Sequence, residues 1–129
     1  MLCLDSDILI AFLRKKPDAL AFIQANESNG LATTVINKFE LLIGAKISQK
    51  KDANLLKVHE LVSRLTVLDL SGKDIEECSD VYAELQNLGQ KIEMRDVFIG
   101  GICRQAGISI VTRNVEHFQC IPRLTIINW

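Results

Sequence analysis

Three acids stand where ordinary structural needs do not fully account for them: Asp5, Glu40 and Asp96. Asp5 directly follows the short apolar run Met1-Leu2-Cys3-Leu4 and precedes a helical pattern. It can cap that helix, or it can project from the end of a strand as a ligand. Glu40 falls in line with Ile36, Ile43 and Ile47 at helical spacing, which predicts a carboxylate on a core-facing stripe. Such a group is costly unless it is paired or holds a metal. Asp96 opens the apolar segment Val97–Cys103 and is again open to both readings, cap or ligand. Three carboxylates offering only oxygen suit Mg²⁺ or Mn²⁺ and poorly suit zinc. Converging acids repel one another, and a cation makes the cluster tolerable.

Lesser candidates surround these three. Asp7 fits the first turn of a helix, where an acid is favoured without further role, and is also a possible lining residue. Asn114 and Glu116 follow the apolar run Ile108–Thr112 and are further possible lining residues. Arg95 and Arg113 each neighbour a proposed site residue, whereas Arg14-Lys15-Lys16, Lys46 and Lys50-Lys51 read as solvated helix ends or phosphate contacts. His117 is a packing or supporting residue, and His59 lies on a charged helix. Ser6 has no nucleophile-elbow pattern, and no glycine-rich phosphate loop is present.

The elements that must position these groups alternate. Strands are predicted at Met1–Leu4, Leu31–Thr33, Thr66–Leu70, Ile108–Thr112 and Thr125–Ile127. Helices are predicted over Asp5–Lys15, from Pro17 to the Asn29-Gly30 turn, Val35–Gln49, Ala53–Arg64, Ser71–Leu88 and Asp96–Ala106. Thr33 or Thr34 caps the third of these. The adjacent Gly100 and Gly101 weaken their helix and imply a close neighbour, with packing on the sheet as the simple explanation. Alternation of this kind predicts an α/β fold, a three-layer α/β/α sandwich around a central parallel sheet. In such sheets, sites form beyond the carboxyl ends of the strands. No repeat or linker interrupts residues 1–129, so a single domain is expected.

Composition narrows the function classes. The 129 residues are 48% hydrophobic and 24% charged, the balance of a globular chain. A net charge of −1 argues against holding nucleic acid purely by a basic field, yet leaves room for an enzyme meeting it locally through cations. No run reaches membrane-spanning length and no signal peptide is evident. Cys3, Cys78, Cys103 and Cys120 are scattered, as expected of reduced thiols in a cytoplasmic protein.

The ordered motifs resemble those of PIN-domain ribonucleases, specifically VapC-type toxins of toxin–antitoxin pairs. Leu4-Asp5-Ser6-Asp7-Ile8-Leu9-Ile10 resembles their opening strand and first acid. Thr33 to Ala45, around Glu40, is similar to their second motif, and Arg95-Asp96-Val97-Phe98-Ile99-Gly100-Gly101 to their third. The tail, Val111 to Phe118 and on to Asn128-Trp129, resembles the family's carboxyl end. Asp7 departs from the asparagine usual at its position, and Met94 from the acid or proline usual at its own. The resemblance implies a PIN-like fold and a Mg²⁺-dependent endoribonuclease, with Mn²⁺ as a possible substitute. Asp5, Glu40 and Asp96 would be the metal-site acids, and structured RNA such as tRNA or rRNA the substrate. It also implies a cognate antitoxin and a homodimer. Two rivals are weighed. A catalytically inactive PIN-like protein-binding module would be expected to lose one of the three acids. A phosphoacceptor receiver domain would need a lysine where Arg113 and Asn114 stand.

Overall fold

The computed structural model covers residues 1–129. In chain order the elements are β1 (Leu2–Leu4), α1 (Ser6–Leu13), α2 (Pro17–Asn26) with a 3-10 turn at Glu27–Asn29, β2 (Leu31–Thr34) and α3 (Val35–Lys46). There follow α4 (Lys51–Ser63), β3 (Thr66–Leu68), α5 (Gly72–Asn87), α6 (Met94–Ala106), β4 (Ser109–Val111), α7 (Val115–Phe118) and β5 (Ile126–Ile127). The five strands form one sheet in the order β3-β2-β1-β4-β5, every pair parallel. This is the sandwich that the alternation predicts.

Both faces of the central strands are largely buried, which is why they are mostly apolar rather than alternating. Successive residues still point to opposite layers. Leu4 and Val111 join a core with residues of α1 to α4, including Ile8, Leu41, Val58 and Leu61. Cys3 and Ile110 join the other, against Val81 and Leu85 of α5 and Val97 and Cys103 of α6. No helix is long and apolar enough to cross a membrane.

Several predicted boundaries shift by a few residues, and α7 is an additional short helix. One shift matters for chemistry. α6 begins at Met94 with Glu93 as its N-cap, so Asp96 lies inside the first turn and is no cap. A second correction concerns α3. Its buried residues are Asn37, Leu41 and Ala45, whereas Ile43 and Ile47 are exposed and Ile36 only half-buried. The helix packs inward through its Asn37-Leu41-Ala45 row, and of the isoleucines Ile43 and Ile47 face outward while Ile36 packs against the second core. Glu40 lies beside the packed row, with its side chain 32% exposed.

The paired glycines of α6 do meet close neighbours, but these are not the sheet. A Cβ on Gly101 would fall 2.9 Å from the Cα and 3.1 Å from the N of Cys78 on α5. A Cβ on Gly100 would meet the side-chain tip of Ile121. Backbone cannot yield as a side-chain tip can. Gly101→Ala is therefore expected to cost about 2–3 kcal/mol in urea denaturation, by overpacking α5 against α6. Gly100→Ala should cost less, because Ile121 can turn aside and alanine favours the helix by roughly 0.5–1 kcal/mol. Equal losses would contradict this account.

Candidate active site

β1 has β2 on one side and β4 on the other, so the connections diverge there and leave a crevice at the carboxyl ends of β1 and β4. Asp5 stands at that point. Its backbone N–H donates to the Val111 carbonyl at 3.0 Å, prolonging the β1–β4 pairing by one residue. Its side chain also caps α1, accepting from the Ser6 N–H at 2.8 Å. The cap and site readings of Asp5 thus coexist in one carboxylate.

Asp5 is completely buried, and its two oxygens are fully engaged. Oδ1 accepts from the Ser6 N–H, from Asn37 Nδ2 at 2.9 Å and from Arg95 Nη2 at 2.8 Å. Oδ2 accepts from the Thr112 hydroxyl at 2.8 Å. Asn37 is itself held by a reciprocal capping box with Thr34, so the start of α3 aims an amide at Asp5. That amide also donates to Ser6 Oγ at 3.0 Å, and Ser6 Oγ donates onward to Glu40 Oε1 at 2.8 Å.

The three acids come from β1, α3 and α6, and they meet on one cation. Arg95 directs Nε to Glu40 Oε2 at 2.7 Å, Nη1 to Asp96 Oδ1 at 2.6 Å and Nη2 to Asp5 Oδ1 at 2.8 Å. Its side chain is 28% exposed. Burial disfavours the guanidinium charge, but the hydrogen bond that Arg95 donates to Glu40 and the charge of Asp5 more than reverse this and hold the proton more firmly than usual. Asp96, 2% exposed, is pushed above the usual carboxylate range by burial, against the opposing pull of Arg95 and then His117. Its second oxygen lies 3.3 Å from His117 Nδ1.

The chemistry of this donor set fits a hard divalent cation. The three acids offer only carboxylate oxygens, and three negative charges face one positive, an excess of two. No three of these side chains stand at the spacing of a closed metal cage, because the broad guanidinium lies between them.

Asp7 takes a different place. Its Oδ2 accepts from the Arg113 N–H at 2.7 Å and lies 3.2 Å from the Thr112 hydroxyl, whose one proton serves the nearer Asp5. Its Oδ1 accepts from Trp129 Nε1 at 3.2 Å. Asp7 thereby ties α1 to the carboxyl end of the chain. Arg113 stacks 3.6 Å over the Trp129 ring and pairs with Asp18, so it too anchors the tail. Asn114 and Glu116 are exposed, and neither side chain bonds to the three acids. Glu116 instead lines a cleft of about 270 Å³ with Asp96, His117 and Lys91. A larger cavity, about 500 Å³, lies beside Gly30, Leu31 and Thr66 at the opposite ends of the strands and contains none of the three acids.

Sequence reasoning missed Thr112 and Asn37 and dismissed Ser6. Thr112 was discoverable, since it ends the apolar β4 run as Asp5 ends β1. Asn37 shows itself as the polar member three residues after the Thr34 cap.

This fold and site belong to a recognised class: the PIN domain signature matches residues 2–123, and the chain belongs to that family. It is 29% identical to the tRNA(fMet)-specific endonuclease VapC of Shigella flexneri over 126 residues, 98% of this chain and 96% of that one. It is 27% identical to ribonuclease VapC2 of Haemophilus influenzae, with the same coverage. The solved structure of DNA-bound VapBC from Salmonella typhimurium superposes with a TM-score of 0.91 at 30% identity, covering 100% of this chain and 99% of that one.

The buried hydroxyl of Thr112 serves an ionised acceptor, whereas that of Thr33 donates to the neutral Leu4 carbonyl at 2.8 Å. Thr112→Val should therefore lower stability by about 2 kcal/mol in urea denaturation, and Thr33→Val by about 1 kcal/mol. The reverse order would show that Asp5 does not depend on its Thr112 bond.

Proposed function

We propose that this chain is a single-domain, Mg²⁺-dependent endoribonuclease, the toxin of a toxin–antitoxin pair, cutting structured RNA such as tRNA or rRNA. The observation that carries this reading is the meeting of Asp5, Glu40 and Asp96 at the carboxyl end of a parallel sheet. The family and the ribonuclease names of its relatives support it.

Asp5, Glu40 and Asp96 would hold the ion, with Mn²⁺ able to replace Mg²⁺. A divalent cation bound there supplies a more acidic water and neutralises charge on a phosphodiester. The protein's part is orientation. Thr112, Asn37 and the Ser6 N–H lock Asp5, and the Ser6 hydroxyl fixes one oxygen of Glu40. His117 flanks Asp96 from the solvent side, beside the cleft through which a strand of RNA would approach. Asn114 and Glu116 would line that approach rather than bind the ion. Asp7 would support the site through Thr112 and the tail rather than as a ligand.

A cognate antitoxin and a second copy of the chain are the proposed protein partners, and the cytoplasm the proposed location. The VapBC pairs among the solved relatives support the antitoxin. So do exposed apolar side chains on α3 and at its C-cap, with Phe39 61% and Ile47 81% accessible.

Purified chain incubated with total RNA and Mg²⁺ should cleave it, and EDTA should stop cleavage. Asp96→Asn should lose about two orders of magnitude or more, since even groups that merely orient metal ligands cost 10–100-fold. Equal cleavage in all three reactions would reject the metal mechanism. No cleavage in any would favour a protein-binding role.

A further inference from the structure

The guanidinium of Arg95 lies where the three acids converge. Each of its three nitrogens takes one oxygen from a different carboxylate, at 2.6 to 2.8 Å. A planar fork is well matched to this task, whereas a lysine ammonium is a point charge. Arg95 immediately precedes Asp96 in the first turn of α6, where adjacent side chains diverge by about 100°. Its chain must therefore curl back across Asp96 to reach Asp5 and Glu40.

Mg²⁺ binds carboxylate oxygens at about 2.0–2.1 Å, much closer than a guanidinium nitrogen does. Ion and guanidinium draw on the same inward oxygens, Asp5 Oδ1, Asp96 Oδ1 and Glu40 Oε2. They cannot both lie among them. Arg95 is 28% exposed and sits at the mouth, so its head has a path outward into solvent.

Resting on the metal-dependent reading above, we infer that Arg95 is an internal competitor of the metal: it holds the three acids together before the ion arrives and must withdraw for the ion to bind. Such a residue acts in two opposite directions. It offsets repulsion among the carboxylates, which stabilises the ion-free fold. It also restricts the ion to the fraction of molecules in which the guanidinium has left, which weakens apparent metal affinity. A residue with a purely structural role would change both quantities the same way.

The test uses the full chain stripped with EDTA and dialysed. Mn²⁺ binding is followed by the electron paramagnetic resonance of the free ion, and melting temperature is measured in EDTA. Arg95→Met keeps the apolar stem and removes the charge. It should bind Mn²⁺ about tenfold more tightly or better, as expected when a competing state is removed, and melt lower in EDTA. Arg95→Lys retains a charge that cannot fork to three carboxylates, so it should fold and show intermediate affinity. Glu40→Gln should weaken Mn²⁺ binding. Unchanged or weaker affinity in both Arg95 variants, with Glu40→Gln weakened, would overturn the competition and leave the metal site standing. If neither the wild type nor Arg95→Met bound Mn²⁺, the competition and the metal reading would fall together.

Discussion

Like charges crowded at the end of a buried sheet must be balanced from within reach, and this requirement shapes the carboxyl-terminal edge of the fold. Asp5 is wholly enclosed, so water offers it nothing. An ionised carboxylate in that position is tolerable only when its lone pairs are filled by donors. Four groups from four segments fill them: the Ser6 N–H, the Asn37 amide, the Thr112 hydroxyl and the Arg95 guanidinium. Parallel pairing is what brings those segments together. With β2 and β4 both flanking β1, the turns that leave each strand open on the same edge.

The same arrangement separates anchoring from reactivity. Asp5 is the most constrained acid, with one oxygen shared among three donors. Glu40 is the most accessible, held on one side by Ser6 and on the other by Arg95. Asp96 lies between these extremes, buried yet facing His117 across an open cleft. A graded set of this kind offers a rigid floor and a more yielding rim to whatever cation it takes.

Much of the layout was legible in the chain. The alternation of apolar runs and helical patterns suffices for the layers, because strands buried on both faces are mostly apolar and any polar side chain in them must find a partner, as Thr33 does on the Leu4 carbonyl. The acids were legible as candidates, but the physical weight assigned to them was misplaced. Glu40 looked like the buried carboxylate because Ile36, Ile43 and Ile47 mimic a core stripe, when the helix packs through Asn37, Leu41 and Ala45. Periodicity reports that an apolar face exists and cannot say whether sheet or solvent meets it. The two fully buried acids, Asp5 and Asp96, looked like caps, a role that only Asp5 has. Thr112, Asn37 and Ser6 were harder to see because they act through distances that only folding creates: 107 residues of chain separate Thr112 from Asp5. Arg95 was legible as a neighbour of Asp96 but not as the group that all three acids share.

The contact between Gly101 and Cys78 reaches beyond packing. The Cys78 sulfur lies against α6, where burial pushes its thiol up to about 11, and Cys3 and Cys103 are buried in the same layer. Cys120 alone is partly accessible. A thiol reagent added to the folded chain would therefore meet one cysteine at once and the others only when helices part. The slow cysteines of this layer act as a built-in clock for the breathing of α5 against α6, the helix that carries Arg95 and Asp96.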